Sequence, residues 1–261
     1  MQQGLIQLKK YKKYQFMFIE LVKRDFKTKY KGSVLGILWS IISPLFTLLV
    51  MDVIFSNFFG KTIEHYVIYL FCGNIIFNYF RDATTYGMTA LLWNAEIFTK
   101  INVPKYLFLL AKNVQALLNF GLTLGVFLIF CAIDGVPFTW KFFLLLYSVL
   151  CMLLLNVGVG LILSALHIFF RDVAHIWPIF TILVMYASAI FYDVTTFSQT
   201  IQTLLYVNPV YQNIVYFRQI VLHGVVPSFG YHMLMLGSSM LFVVIGLFIY
   251  HRYNWRFLYY V

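Results

Sequence analysis

Charged side chains are scarce in this sequence. Asp, Glu, Lys and Arg make up 11% of its 261 residues, whereas 62% are hydrophobic; an ordinary soluble domain is about a quarter charged. This deficit excludes a soluble globular protein and indicates a polytopic membrane protein. A net charge of +10 would suggest nucleic acid in a soluble protein. Here the basic residues border apolar runs, so we expect anionic phospholipid headgroups as the partner, and no nucleic acid.

Cysteines and chemistry-bearing motifs are equally sparse. Cys72, Cys131 and Cys151 lie inside apolar stretches without paired spacing, which predicts buried thiols rather than disulfides. The six His residues show no metal-ligand spacing, and the segment nearest to a phosphate-binding loop, 60–62, lacks its first glycine because position 55 is Phe. We therefore expect no catalytic residue, metal or cofactor on this chain. Any ATP and Mg²⁺ that it needs would be bound by a partner subunit.

Long apolar runs dominate the rest of the chain. A helix needs about 20 apolar residues to cross a hydrocarbon core of roughly 30 Å. Six stretches qualify, at about 34–59, 66–92, 107–133, 142–170, 173–192 and 231–250. The predicted fold is therefore an all-α membrane protein with six transmembrane helices over residues 34–250. The outer connection, 193–230, is half apolar and breaks at Asn208 and Pro209, so we predict re-entrant helices between spans five and six.

The basic residues predict the orientation. Fifteen of the nineteen Lys and Arg residues fall on one side of this threading, and nine of them precede residue 32. Short loops rich in Lys and Arg stay cytoplasmic. The N-terminus and the C-terminal tail, 251–261, are therefore both predicted to be cytoplasmic.

Residues 1–33 are predicted to form a basic tail and an amphipathic helix lying in the inner membrane interface. On a helix over 14–31, one face carries Glu20, Arg24, Lys27 and Lys31, and the opposite face carries Phe18, Ile19, Val22 and Phe26. Glu20 and Arg24 are spaced for an i,i+4 ion pair. The helix is either a simple orientation anchor or an element that moves and contacts a partner.

Two charges lie inside the second predicted span. Arg81 and Asp82 are neighbours, and adjacent side chains point about 100° apart on a helix, so we expect that they do not simply neutralise each other. Arg81 would then snorkel to the headgroups, pair with a carboxylate on another span or face a hydrated path.

Aromatic residues gather near the outer connection. They are Phe191, Tyr192, Phe197, Tyr206, Tyr211, Tyr216 and Phe217. Flat rings of this kind can stack on the C–H faces of sugars, although interfacial belts are the more general explanation for aromatic residues in membrane proteins.

Four patches in order along the chain carry a family resemblance. The first comprises Arg24-Asp25-Phe26-Lys27, Tyr30-Lys31-Gly32-Ser33-Val34-Leu35-Gly36, Leu38-Trp39 and Pro44. The second comprises Asn94-Ala95-Glu96-Ile97, Lys100, Val103, Pro104 and Lys105. The third is Phe169-Phe170-Arg171-Asp172-Val173, and the fourth runs from Ser188 to Tyr192 and adds Asn208-Pro209 and Arg218. Together they resemble the permease subunit of bacterial ABC exporters of polysaccharides of the O-antigen, capsule and teichoic-acid type. The sequence departs from this pattern at Ala189, where relatives often have proline.

The resemblance implies a transport subunit rather than an enzyme. It implies a homodimer in the bacterial cytoplasmic membrane, joined by two nucleotide-binding ATPase subunits, with a channel at the homodimer interface. The implied cargo is a glycan on a polyprenyl diphosphate or similar lipid, moved from the cytoplasmic to the outer leaflet.

The resemblance also implies roles for individual residues. In the coupling segment, 93–106, the expected ATPase contacts are Glu96, Ile97, Lys100 and Ile101. On the interface helix, termed the gate helix in this family, the expected contacts to headgroups and to the cargo's phosphates are Arg24, Lys27, Lys29 and Lys31. The channel candidates are Trp39, Arg81, Phe191, Tyr192, Tyr211 and Arg218.

Other functions stay open at this level. Within the same class, the cargo could be teichoic acid, a drug or a small lipid. A membrane-embedded glycosyl- or acyltransferase acting on a lipid-linked substrate would need a convergent set of His, Asp or Glu at membrane depth, which the sequence does not offer. A passive channel or assembly scaffold is a further alternative. The sequence names neither the glycan nor the lipid carrier.

Overall fold

The chain folds into ten α-helices over the described residues, which in this computed structural model are 2–59, 65–101 and 103–260. They are α1 (Gln2–Tyr30), α2 (Trp39–Phe59), α3 (Tyr66–Trp93), α4 (Ala95–Lys100), α5 (Tyr106–Ile133), α6 (Leu145–Phe169), α7 (Val173–Tyr186), α8 (Gln199–Leu205), α9 (Pro209–Val221) and α10 (Phe229–Tyr253). Short 3₁₀ turns lie at Gly36–Leu38, Trp140–Leu144, Val194–Thr196 and Arg256–Leu258. No strand occurs in these ranges, and the prediction of an all-α fold is confirmed.

Among the described residues, four helical segments are long and apolar enough to cross a membrane. They are Gly36–Phe55, Tyr106–Ile133, Trp140–Phe169 and Phe229–Tyr253, which match the first, third, fourth and sixth predicted spans. The second predicted span is the 28-residue α3, which holds Arg81 and Asp82 and is not among the four. The fifth is α7, whose 14 residues extend about 21 Å at 1.5 Å per residue, short of a 30 Å core. The count of six spans therefore stays a prediction.

Helix α3 lies at the centre of the bundle. Its side chains are buried over most of its length because α2, α5, α6, α7 and α9 all pack around it. Helix α6 covers α3 and in turn packs closely against α10. The α6–α10 crossing depends on Gly158, because a Cβ atom there would lie 2.5 Å from the backbone carbon of Phe242. Small residues allow this backbone approach between membrane helices.

The second half of α1 runs alongside α5, and in the same direction. Asp25 contacts Lys112, and one turn later Tyr30 contacts Asn119, so the numbers on both helices rise together. The N-terminal part of the contact is apolar, because Leu21 packs into a cluster with α4 and α5. These contacts describe a helix docked lengthwise on the bundle. Its position relative to a membrane surface stays a prediction.

The predicted ion pair on α1 is wrong. Glu20 accepts a hydrogen bond from Lys23 at 3.0 Å, while Arg24 turns away to Asp25 at 2.8 Å, because Asp25 is buried and offers a less hydrated partner. The predicted apolar face is also only partly buried. Phe18 and Val22 pack against the bundle, whereas Ile19 is exposed.

The C-terminal tail folds back onto the coupling segment. Phe257 is fully buried and its ring lies 5.8 Å from the ring of Phe169. Lys105 donates from Nζ to the carbonyl oxygen of Asn254 at 2.5 Å, and burial lowers the pKa of the Lys105 ammonium. The start of α5 and the end of α10 are thereby held together.

Candidate functional site

The coupling segment contains one short helix, α4, that follows α3 after a single residue. That residue, Asn94, donates from Nδ2 to the carbonyl oxygen of Ala90 at 2.7 Å, which occupies an end carbonyl of α3 that would otherwise lack a partner. Phe98 anchors α4 in the bundle because its ring is buried and lies 6.0 Å from the ring of Phe108. The helix is therefore short but firmly seated.

The predicted ATPase contacts lie mostly on the open side of α4. Glu96, in the first turn, and Lys100, in the last turn, are exposed, and each sits at the end of the helix whose dipole favours its charge. Neither side chain has an ion pair or hydrogen bond within the described ranges. Ile101 is also exposed, whereas Ile97 is half-buried. This surface offers two opposite charges and an apolar side chain to a partner.

A cluster around Asp25 joins α1 to α4 and α5. It comprises Arg24, Asp25, Asn94, Lys112 and Gln115, and we call it the Asp25 cluster. Asp25 and Lys112 are both less than a tenth exposed and form an ion pair of 3.0 Å. Arg24 donates from Nη2 to Asp25 at 2.8 Å and to Asn94 Oδ1 at 2.7 Å. Gln115 donates from Nε2 to the Asp25 carbonyl oxygen at 2.9 Å.

This cluster connects the predicted gate helix to the residue that immediately precedes α4. Because Arg24 holds both Asp25 and Asn94, movement of α4 either carries α1 with it or breaks a charge-assisted hydrogen bond. Sequence reasoning did not single out Asp25. One signal in the sequence could have identified it. Asp25 lies on the helix face that also carries Leu21 and Val22, and a carboxylate buried on such a face requires a cationic partner.

A second site is a cavity of about 340 Å³ between the end of α1 and helices α2, α3 and α5. We call it the polar cavity. Its polar lining is supplied by Lys29, Tyr30, Trp39, Ser40, Ser43, Thr47, Asn78, Tyr79, Arg81, Asp82, Asn119 and Thr123. Of the six predicted channel residues, Trp39 and Arg81 line this cavity.

The expectation that Arg81 and Asp82 do not neutralise each other is wrong. Arg81 donates to Asp82 Oδ1 from Nε at 3.2 Å and from Nη2 at 3.0 Å. Although adjacent side chains point about 100° apart on a helix, the arginine side chain is long enough to reach the carboxylate of the next residue. Both side chains remain partly exposed, and they bring an ion pair to the wall of the polar cavity.

Lys29 and Tyr30 lie at the α1 side of the same cavity. Tyr30 donates to Asn119 Oδ1 at 2.7 Å and contacts the hydroxyl of Ser40. Burial, and then the charge of Asp82, raise the pKa of the Tyr30 hydroxyl, which therefore stays neutral. Burial lowers the pKa of the Lys29 ammonium; Asp82 opposes this shift and Arg81 adds to it. Lys29 thus shares its electrostatic environment with the α3 ion pair.

The four predicted gate-helix cations fall into three environments. Arg24 belongs to the Asp25 cluster, although it also borders a second, more open cavity of about 550 Å³. Lys27 and Lys31 line that second cavity. Lys29 alone lines the polar cavity. Their roles at the headgroups stay predictions.

At the other end of the bundle, α7 stops six residues before the predicted end of the fifth span. The chain from 187 to 192 is not α-helical, yet most of it is buried; we call it the capped loop. Its carbonyl oxygens accept hydrogen bonds from side chains: Ala187 from Asn208, Ala189 and Ile190 from Arg218, Phe191 from Tyr66, and Tyr192 from Tyr69. Non-helical backbone at membrane depth requires this kind of compensation.

Four of the predicted channel residues belong to this outer region. Phe191, Tyr211 and Arg218 are buried within the chain, and Tyr192 is half-buried. Tyr211 packs against Ala189 in a small cluster. These side chains support the capped loop, and their contact with a transport channel stays a prediction.

Comparison with known proteins gives matches over most of the chain. The sequence profile of the ABC-2 type transporter family matches residues 17–222. The O-antigen export system permease protein RfbA of Klebsiella pneumoniae is 25% identical over 92% of this chain and 93% of its own length. Its namesake in Myxococcus xanthus is 28% identical over 70% of each chain. The capsule polysaccharide export inner-membrane protein CtrC of Neisseria meningitidis is 21% identical over 76% of each chain.

Proposed function

We propose that this chain, which belongs to the ABC-2 type transporter family, is the permease subunit of an ATP-driven exporter of a lipid-linked polysaccharide. The observation that carries the proposal is the match to permeases named for O-antigen export, which extends over 92% of the chain. The match to a permease named for capsule export supports the same class of cargo. The chain provides the membrane path and performs no hydrolysis itself.

ATP and Mg²⁺ are bound by two ATPase subunits that dock on α4. The exposed Glu96 and Lys100 support this role because both charges lie on the surface without an intrachain partner in the described ranges. The apolar Ile101 beside them supplies area for a packed contact. Through Arg24 and Asn94, a push on α4 reaches the gate helix, α1.

Two copies of the chain form the channel in the bacterial cytoplasmic membrane, with both termini cytoplasmic. Helix α2 supports a role at the interface between the copies because it is the least covered of the four candidate spans. It exposes large apolar residues such as Phe46, Val50 and Val53. The polar cavity adjoins α2 and would lie beside this interface.

The proposal is tested by removing the two exposed charges of α4 in the double variant E96A/K100A. We expect export of the lipid-linked glycan by the reconstituted complex to fall about tenfold or more, which corresponds to about 1.4 kcal/mol of lost coupling. ATP turnover should persist without stimulation by cargo. The matched control is E20A/K23A, which removes an exposed acid and base that pair with each other. Unchanged export in E96A/K100A would overturn the assignment.

A further inference from the structure

We propose that the polar cavity binds the phosphate group of a lipid, with Lys29 of α1 and Arg81 of α3 as its two anion-binding side chains. The inference rests on the proposed export function for the identity of that lipid, which is the polyprenyl diphosphate that carries the glycan. The juxtaposition is not visible along the chain, because the two cations are 52 positions apart and meet only where α1, α2, α3 and α5 enclose the cavity.

Geometry separates Lys29 from the other cations of α1. Arg24 already donates to Asp25 and Asn94, so its charge is used within the Asp25 cluster. Lys27 and Lys31 line the other, more open cavity. Lys29 lines the polar cavity, where its ammonium lies 6.0 Å from the centre of the Tyr86 ring on α3. It is therefore the one α1 cation, among the described residues, that faces α3 across this space.

Arg81 retains donors for an anion even while it is paired. A guanidinium carries five N–H groups in a rigid fork, and Asp82 accepts from only two of its nitrogens, Nε and Nη2. The Nη1 edge is left for a ligand. Asp82 thereby fixes the orientation of the fork, and the two cations still outnumber the carboxylate in the cavity. Phosphate groups favour this kind of bidentate contact with arginine.

Asn119 adds an uncharged donor. Its Oδ1 accepts from Tyr30, while its buried Nδ2 has no hydrogen-bond partner among the described residues. A buried donor of this kind in a native structure usually finds a water, ion or ligand. A phosphate oxygen would satisfy it once the amide turns towards the cavity that Asn119 lines.

The size of the cavity also fits a headgroup rather than a sugar chain. Its volume of about 340 Å³ lies at the lower end of the roughly 300–1,000 Å³ range of small-molecule sites. Arg81 lies 12 residues, or about 18 Å, from the end of α3 at Trp93. The site would therefore hold a phosphate within the bundle and leave the glycan outside it.

The test measures binding of farnesyl diphosphate, a short polyprenyl diphosphate, to the purified full chain in neutral phosphatidylcholine nanodiscs. We expect Lys29→Gln and Arg81→Gln each to weaken binding about tenfold. The control is Lys23→Gln, at an exposed α1 position that pairs with Glu20 and lines neither cavity, which should change binding less than about twofold. Lys29→Arg should retain binding. The variant R81Q/D82N removes both members of the ion pair, so that loss of binding is not caused by an unpaired carboxylate in the cavity wall.

Two competitors identify the source of the phosphate. Farnesol lacks phosphate and should not compete; effective competition by farnesol would overturn the anion site. Phosphatidylglycerol should compete only weakly, and competition equal to that of farnesyl diphosphate would overturn the assignment to the carrier in favour of bilayer phospholipid. Equal losses in Lys23→Gln and Lys29→Gln, or no loss in Lys29→Gln and Arg81→Gln, would overturn the site itself.

Binding is measured without ATP or transport. A negative binding result therefore contradicts the cavity assignment without contradicting the proposed export function. The E96A/K100A variant should bind farnesyl diphosphate as tightly as the unmodified chain. If that variant exports normally, the coupling assignment fails while the cavity result stands. If export depends on α4 but Lys29 and Arg81 do not affect binding, the cavity assignment alone fails.

Discussion

Arg218 donates from Nη1 to the carbonyl oxygen of Ala189 at 2.9 Å. The same guanidinium donates to the carbonyl oxygens of Ile190 at 3.0 Å and Tyr69 at 3.3 Å and stacks 3.4 Å above the Tyr69 ring. Gly73 leaves room for this arrangement, because a Cβ atom there would lie 3.1 Å from Nη2. One side chain from α9 therefore supplies hydrogen-bond donors to backbone carbonyl groups that have no partner within a helix.

Replacing Arg218 should destabilise the outer half of the bundle. In Arg218→Met, the carbonyl groups of Ala189 and Ile190 lose their donors while still buried, and each unsatisfied group costs about 1–3 kcal/mol. We expect a clear drop in the melting temperature of the detergent-solubilised protein, measured by size-exclusion chromatography after heating. Arg218→Lys should rescue only part of it, because an ammonium lacks the planar fork. The control is Arg252→Met at an exposed position; equal melting of both methionine variants would contradict the role of Arg218.

The backbone of Ala189 predicts opposite effects of two substitutions. Its φ of 48° lies in the left-handed region, which costs a non-glycine residue about 1–2 kcal/mol. Ala189→Gly should raise stability by at most about 1 kcal/mol, because the strain that it relieves is offset by the larger chain entropy of glycine and by the loss of a fully buried methyl group. Ala189→Pro should lower it, because the ring holds φ near −65°. Thermal melts should show a higher melting temperature for Ala189→Gly and a lower one for Ala189→Pro. A stabilising proline would show that the capped loop has another conformation.

Local sequence signals were sufficient for several elements. Apolar runs predicted helices close to α3, α5 and α10, because length and hydropathy act within one segment. The break at Asn208 and Pro209 was equally predictable, since Asn208 caps α9 by accepting from the Val210 amide at 3.0 Å and proline suits the first helical position. These features depend on residues only a few positions apart.

Features set by distant partners were not predictable in this way. The burial of Asp25 depends on Lys112, 87 positions away, and the early end of α7 depends on Arg218. Residues 173–192 are apolar apart from His175, Thr181, Ser188 and the aromatic side chains with polar groups. Hydropathy alone therefore predicts a helix that continues through the capped loop. The polar cavity likewise needs four helices to form. Predicting it from sequence would require knowing how α1 docks on α5.

The α6–α10 crossing offers a test of close helix packing. Gly158→Ala places a methyl group 2.5 Å from backbone atoms of Phe242 and Val243, and because backbone cannot rotate away, the helices must separate. Overpacking of this kind costs about 1–3 kcal/mol, which thermal melts should detect. The matched control is Gly237→Ala on α10, where a Cβ atom would meet nothing within 4 Å. A similar loss in both variants would attribute the effect to glycine itself rather than to the crossing.

The Asp25 cluster predicts strong energetic coupling between two buried charges. Removing one partner of a buried ion pair costs about 3–5 kcal/mol, whereas replacing both by uncharged groups costs much less. Asp25→Asn should therefore lower the melting temperature strongly, because the buried Lys112 loses its carboxylate. Lys112→Met should lower it less, because Arg24 still donates to Asp25 at 2.8 Å, and D25N/K112M should recover much of the loss seen in Asp25→Asn. The exposed pair of Glu20 and Lys23 supplies the control. The losses of stability in E20Q and K23M should nearly sum to the loss in the double variant, with a coupling free energy of about 0–1 kcal/mol.

The same variants distinguish a purely structural cluster from one that transmits motion. Arg24→Gln keeps Asp25 paired with Lys112 but removes the charged donor that also holds Asn94. If α1 is tied to α4 through that contact, hydrogen exchange of the α4 amides should accelerate while exchange in α10 stays unchanged. Under the proposed docking of the ATPase on Glu96 and Lys100, glycan export should fall more than ATP turnover, because the ATPase would still bind α4 but would no longer move α1. Equal slowing of export and ATP turnover, with unchanged exchange in α4, would show that Arg24 serves only to hold α1 in place.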